Sequence, residues 1–329
     1  MVNYLIRRVL YIVLVLFMVS FFIFMLFRTV PGDPVDMFLP PEMAMGMQPE
    51  HLVIARQEII TTMGLDQNHF IQYFYWLAAM FRGDFGTSME TRMPVLDHVR
   101  APMANTIVMS ILNLVLVFLI TIPAGVYCAV RRGKFFDNAA LVSTMIGLSI
   151  PGFLVGLIMI VLFALVFPIL PPFGMASVMP PPEGTMAWYL DRLRFMALPL
   201  FALTFTSLAG MIRYVRSSMI DALNMDCVRT ARAKGVAEKA VIYIHAFRNA
   251  LIPIVTVMTA WFVGIFSGSF VIEVTFQWQG MGQIMMNALN LRDISVQMAM
   301  SVFYALIAFV GILVLDIVYV IIDPRIRFK

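Results

Sequence analysis

Six stretches of this chain stay apolar for about 20 residues or more, at about 9–28, 103–130, 138–168, 196–216, 250–272 and 300–322. That is the length a helix needs to cross a hydrocarbon core roughly 30 Å thick. In lipid, peptide N–H and C=O groups find partners only within the segment, so each stretch is committed to helix. Composition agrees: 61% of residues are hydrophobic, only 13% are charged, and mean hydropathy is +0.89. Soluble domains carry about 25% charged residues, because their surface faces water. The expected fold is an all-α integral membrane protein. Its 329 residues leave no length for a separate soluble catalytic domain.

The first stretch follows Arg7 and Arg8 and ends in Arg28-Thr29-Val30-Pro31-Gly32-Asp33-Pro34. It is longer than a signal-peptide core and lacks a small-residue cleavage site, so it reads as a retained helix. Residues 31–102 then form a large polar segment on the outer face. Pro49-Glu50 starts a helical piece there, Phe70 to Phe81 makes an aromatic one, and Gly83-Asp84-Phe85-Gly86 marks a turn. Tyr73, Tyr75 and Trp76 suit either the lipid headgroup region or packing between helices. The remainder, 103–329, holds five spans. Pro168 to Gly184 is too rich in proline to be a continuous helix. Pro123 and Pro151 predict kinked spans, whereas Pro199 and Pro253 predict helix starts.

Charge orients the bundle. With the N-terminus inside, fifteen of the 23 basic residues fall on cytoplasmic segments. They are Arg7, Arg8, Arg131, Arg132, Lys134, the group from Arg213 to Arg248, and Arg325, Arg327 and Lys329. This is the positive-inside pattern, and an even number of spans places both termini in the cytoplasm. The basic residues form no stripe with interleaved aromatics, which argues against a nucleic-acid partner. Cys128 and Cys227 imply no disulfide framework.

Residues 216–248 do not belong in lipid. Arg216, Arg229, Arg232, Lys234, Lys239, Arg248, Asp221, Asp226 and Glu238 lie within them. Inserting these charges would cost on the order of 20–30 kcal/mol. The segment is a cytoplasmic loop with helix formers from Ser217 to Lys234, a break at Gly235, and a helical pattern from Val236 to Phe247. Ala231, Ala233 and Gly235 keep one part slim, so a partner's backbone has room to approach. A basic loop resting on anionic headgroups is the alternative on composition alone.

The run Asp226-Cys227-Val228-Arg229-Thr230-Ala231-Arg232-Ala233-Lys234-Gly235, followed by His245-Ala246-Phe247-Arg248-Asn249-Ala250-Leu251-Ile252-Pro253, resembles the EAA loop of binding-protein-dependent ABC permeases. It is similar in particular to the dipeptide, oligopeptide and nickel family, B-type subunit. Pro31 to Pro34, Met63-Gly64-Leu65-Asp66, Gly83 to Ser88, Asn105-Thr106, Gly268 to Glu273 with Phe276, Gly280 and Gly282, Asp316 to Tyr319, and Asp323 to Arg327 extend the likeness along nearly the whole chain. Two positions depart from the family pattern. Gln279 stands where proline is common, which leaves the local turn open, and Cys227 stands where tyrosine is common.

The resemblance implies a six-span permease in a bacterial or archaeal cytoplasmic membrane, forming half of a pathway for di- or oligopeptides. Nickel chelates, opines and glutathione-like solutes share the pattern. It implies a homologous second permease, two ATP-binding subunits and an extracytoplasmic solute-binding protein as partners. No Gly-x-x-x-x-Gly-Lys-Ser/Thr run occurs, so the chain is expected to bind no cofactor, with ATP and Mg on partner subunits. It also implies that Asp226, Arg229, Thr230, Ala231, Arg232, Ala233, Lys234 and Gly235 couple the chain to an ATPase. Candidates for the pathway or its gate are Asn113, Ser143, Thr144, Ser149, Thr204, Thr206, Ser207 and Glu273. Helix–helix hydrogen bonding is the plainer role for the hydroxyls and amide, and a solvated cap for Glu273. Asp316 in the last span needs a partner or the inner interface.

A secondary transporter is the rival class, but neither inverted repeats nor a midplane ion constellation is visible. A membrane enzyme would need a nucleophile–base pair or a His-Glu-x-x-His run, and neither occurs. His51, His69, His98 and His245 are too dispersed to suggest a local metal site.

Overall fold

The structure, a computed structural model, describes residues 2–29, 35, 39, 45–62, 64–265 and 269–322. Pro31 to Pro34, Met63, Gly268 and Asp323 to Lys329, singled out above, lie outside the described residues. In chain order the helices are α1 (Val2–Arg28), α2 (Pro49–Thr62), α3 (His69–Phe81), α4 (Val95–Val130), α5 (Phe135–Ser149) and α6 (Gly152–Ile160, with a π turn Val161–Val166). There follow α7 (Met186–Leu223), α8 (Asp226–Ala233) and α9, which runs from Glu238–Ala240 through a π turn Val241–Ala246 into Phe247–Gly264. The last are α10 (Phe270–Thr275), α11 (Met281–Asn290) and α12 (Ile294–Ile322). By length and composition five of these cross a membrane, and six do if the bent pair α5–α6 is one span. The protein is an all-α integral membrane protein.

The chain divides into two compact units, residues 1–102 with 284–309, and residues 103–283 with 310–329. In the first, α3 packs on α1 through an aromatic cluster. Tyr73 is fully buried among Phe17, Phe21, Phe24 and Trp76, and its hydroxyl pairs with Ser20 Oγ at 2.9 Å. Tyr75 is exposed, whereas Tyr73 and the half-buried Trp76 pack between the helices. Asn68 caps α3 by accepting the Phe70 N–H, which satisfies one of the orphan donors of a helix start.

The loop before α4 turns at Gly83 and Gly86, both at φ +81°. It is held by Asp293, just ahead of α12. The buried Asp293 carboxylate accepts from Ser88 Oγ at 2.8 Å, from the Met89 N–H at 2.6 Å and from the Val296 N–H at 3.2 Å. One side chain thus caps a long helix and pins a loop 205 residues earlier.

In the second unit α7 is the trunk, 38 residues long and capped by Thr185, whose hydroxyl accepts the Trp188 N–H. Helices α5, α6 and α9 pack against it. Glycines permit the closest approaches. A Cβ on Gly147 of α5 would lie 3.1 Å from Ala209 Cβ, and one on Gly125 of α4 would lie 2.6 Å from Val215. Pro199 and Pro253 sit inside α7 and α9, not at their starts. The helix-start expectation is wrong because both helices continue for turns beyond the apolar stretch, giving up one backbone bond at each proline. Helices α5 and α6 meet at a 95° bend at Ile150–Pro151. Residues 167–185 are non-helical. Ser177 bonds Asp191 through its N–H and hydroxyl, and the Gly174 N–H donates to the Phe276 carbonyl at 2.9 Å.

Candidate functional site

At one end of the second unit the charged segment folds as a helix–turn–helix. Helix α7 stops at Asn224, Met225 is extended, and α8 begins at Asp226. The helix read over Ser217 to Lys234 is therefore two helices with a break at Asn224–Met225. Charges match the dipole of α8, with Asp226 in its first turn and Arg232 in its last.

Its end is a Schellman stop. The Gly235 N–H bonds the Arg232 carbonyl at 3.0 Å and the Val236 N–H bonds the Ala231 carbonyl at 3.2 Å, while Gly235 takes φ +76°. Nothing lies within 4 Å of a Cβ on Gly235, so left-handed backbone and not space requires glycine here.

Only one face of α8 is covered. Val228 and Ala231 are buried in a cluster with Met219 and Ala222 of α7 and Val241, Ile242 and Ala246 of α9. The slim side of Ala231 is thus filled by this chain itself. Asp226, Arg229, Thr230, Arg232, Ala233, Lys234 and Gly235 remain exposed. Arg232 pairs with Glu238 at 2.8 Å, and that hydrogen bond raises the guanidinium above its ordinary value. Arg229 lies 3.7 Å from Asp226. Exposed pairs like these contribute little stability. Cys227 is exposed and receives the Asn249 amide at 3.7 Å.

Beneath the hairpin lies an ion pair that sequence reading missed. Arg216 grips Asp137 of α5 with two guanidinium nitrogens, Nε to one oxygen and Nη2 to the other at 2.7 Å. The second oxygen also accepts the Gly133 N–H at 2.8 Å. Asp137 is fully buried, and removing one partner of such a pair costs about 3–5 kcal/mol. The signal was weak: Asp137 stands one residue ahead of the apolar stretch 138–168 and close to Arg131, Arg132 and Lys134, so the sequence offers nearer cations. Which cation was not readable, because 79 residues separate the two.

A second polar knot ties α4, α10 and α11. Glu273 is fully buried, which excludes the solvated-cap reading. One of its oxygens accepts from Thr106 Oγ1 at 2.9 Å, and the other from the Gly282 N–H at 2.7 Å and the Gln283 N–H at 3.3 Å. The carboxylate therefore occupies the positive end of α11. Thr106 Oγ1 in turn accepts the Met281 N–H at 2.8 Å. The departure at Gln279 supplies groups that fit locally. Its N–H donates to Met175 Sδ at 3.3 Å, a bond proline lacks, and its carbonyl accepts the Asn105 amide at 2.9 Å.

Of the remaining candidates, the structure joins Asn113 and Thr204, whose hydroxyl donates to Asn113 Oδ1 at 3.0 Å. Thr204 also lines an open apolar cleft of 260 Å³ between α4 and α7, with Leu116, Ile120, Leu200 and Phe201. Thr144, Ser149 and Thr206 bond carbonyls of their own helices. Ser143 is exposed and Ser207 half-buried. Asp316 is buried within α12.

The pattern that defines the family described as "Binding-protein-dependent transport system inner membrane component" matches residues 121–328, and that of its N-terminal companion, "Binding-prot-dependent transport system membrane comp, N-term", matches 1–112. The chain belongs to this permease family. It is similar to the oligopeptide transport system permease protein AppB of Bacillus subtilis (strain 168), at 35% identity over 329 residues and the full length of both chains. It is also similar to the glutathione transport system permease protein GsiC of Escherichia coli (strain K12), at 32% identity, again over the full length of both. The permease is thus a multi-pass membrane component of an ABC importer.

Proposed function

We propose that this permease forms half of a translocation pathway for di- or oligopeptides handed over by an extracytoplasmic solute-binding protein. A homologous permease supplies the other half. Two ATP-binding subunits bind ATP and Mg and supply the energy, and this chain is itself non-catalytic. Both termini lie on the cytoplasmic side, where the basic residues concentrate. The exposed face of α8 is the contact with an ATP-binding subunit, through Asp226, Arg229, Thr230, Arg232, Ala233, Lys234 and Gly235. Ala231 holds that face in place from behind.

The observation that carries this reading is α8 itself. It is a short helix with one face buried on α7 and α9, its other face charged and uncovered, and no lipid-compatible surface on that side. A rigid lever seated in a motor requires that arrangement.

The test is uptake in proteoliposomes holding both permeases and both ATP-binding subunits, with labelled tri-alanine presented by the solute-binding protein. Uptake should need ATP and stop when the catalytic carboxylate of the ATP-binding subunits is removed. Uptake driven by a proton gradient without ATP would refute it. A glutathione-like solute is the second reading, favoured by the full-length similarity to a glutathione permease. Competition of labelled tri-alanine uptake by glutathione decides between them.

A further inference from the structure

We propose that Arg216 and Asp137 are positioning residues that make the α4–α5 turn travel with the hairpin. The inference rests on the reading of α8 as the element seated in an ATP-binding subunit, and it concerns how displacement leaves that element.

Arg216 lies two turns before the end of α7. Helix α8 follows after only Asn224 and Met225, and its buried Val228 and Ala231 share one cluster with Met219 and Ala222 of α7. The inner end of α7 and α8 are therefore one packed body, and a push on α8 is a push on Arg216. The bidentate grip of the guanidinium on Asp137 fixes orientation as well as distance. The Asp137 oxygen that accepts the Gly133 N–H at 2.8 Å carries the same constraint into the turn from α4 to α5. At this level α4 also packs closely on α7: a Cβ on Gly125 would lie 2.6 Å from the Val215 side chain and 3.1 Å from the Arg216 backbone nitrogen.

On its other side, α5 runs fifteen residues from Asp137's turn to the 95° bend that leads into α6. A displacement of α7 delivered to the start of α5 is thus delivered to the sharply bent α5–α6 pair. Apolar contacts between α5 and α7 slide under load, whereas a buried bidentate ion pair does not slip without exposing two charges.

The experiment needs no transported solute. Spin labels are placed in pairs at Lys134 in the α4–α5 turn, at Asp221 near the end of α7 and at Glu183 in the loop before α7, all exposed. The background is Cys128→Ala and Cys227→Ser. Distances are measured in the complex with its partner permease and ATP-binding subunits, nucleotide-free and trapped with ADP-vanadate. In the parent the Asp221–Glu183 and Lys134–Glu183 distances should shift together, with Lys134–Asp221 unchanged. In Asp137→Asn, Asp221 should still move and Lys134 should not, so that Lys134–Asp221 now changes. The double variant Asp137→Arg with Arg216→Asp should restore the joint shift.

If Asp137→Asn fails to assemble, Arg216→Lys, which keeps the charge but loses the fork, should give the same separation. A purely structural role predicts poorer assembly but unaltered joint motion in every variant that assembles, and that result overturns the proposal. If Asp221 moves in the parent and Lys134 stays still, the proposal fails alone. If neither moves on trapping, the reading of α8 fails with it.

Discussion

Replacing Gly280 by alanine adds one methyl group at the tightest point of the Glu273 knot, and the local distances set its effect. The new Cβ would lie 2.5 Å from Glu273 Cδ, Glu273 Oε2 and Thr106 Oγ1. Relaxed carbon contacts sit at about 3.5–4.0 Å, so these groups must retreat by about 1 Å. Neither side chain has solvent to retreat into, because both are fully buried. Overpacking of this kind costs about 1–3 kcal/mol. A shift of that size also breaks at least one hydrogen bond to the carboxylate, worth about 1.5–3 kcal/mol. The total, about 2.5–6 kcal/mol, corresponds to a fall in midpoint of roughly 5–20 °C for a unit of this size. The assay is thermal unfolding of the detergent-solubilised permease, followed by tryptophan fluorescence. Gly210→Ala is the control: nothing lies within 4 Å of its added methyl, and a helical Gly→Ala change gains about 0.5–1 kcal/mol. A Gly280→Ala midpoint equal to that of Gly210→Ala would refute the reasoning.

Three further outcomes follow from named contacts. Gly235→Ala should destabilise the hairpin by about 1–2 kcal/mol through its left-handed backbone alone. Gly235→Asn should cost less, and hydrogen exchange at Val236 reports both; equal exchange in all three proteins contradicts the Schellman stop. Asp293→Ala should leave the Ser88 hydroxyl and the Met89 and Val296 N–H groups without their acceptor. The visible result is faster proteolysis in residues 83–94, and an unchanged cleavage pattern would contradict the pinning role. Tyr73→Phe should cost about 1 kcal/mol for the bond to Ser20, whereas Tyr73→Ala should cost about 3–5 kcal/mol by opening a cavity under α1; equal midpoints for the two would argue against ring packing as the main term.

Much of this molecule was legible as a string. Apolar runs of bilayer length locate the spans, because lipid offers backbone groups no alternative partner. Nine charges between Arg216 and Arg248 mark that stretch as unsuited to lipid, and the structure builds it from the end of α7, α8 and the start of α9. Gly235, Pro49 and the prolines of 168–184 act on their own dihedral angles, and the structure has a break, a helix start and a non-helical connection where they stand. Local signals failed where a helix outran its apolar stretch, as at Pro199 and Pro253. Tertiary structure alone decided the polar pairings. Arg216 meets Asp137, Thr106 meets Glu273 and Ser88 meets Asp293 across 79, 167 and 205 residues. A buried carboxylate announces that it needs a donor, but which donor arrives depends on how helices pack, and that is set by glycine-sized contacts such as Gly125 on Val215. Desolvation and backbone geometry are properties of a residue and its neighbours in sequence, whereas the pairing of buried charges is a property of the assembled bundle.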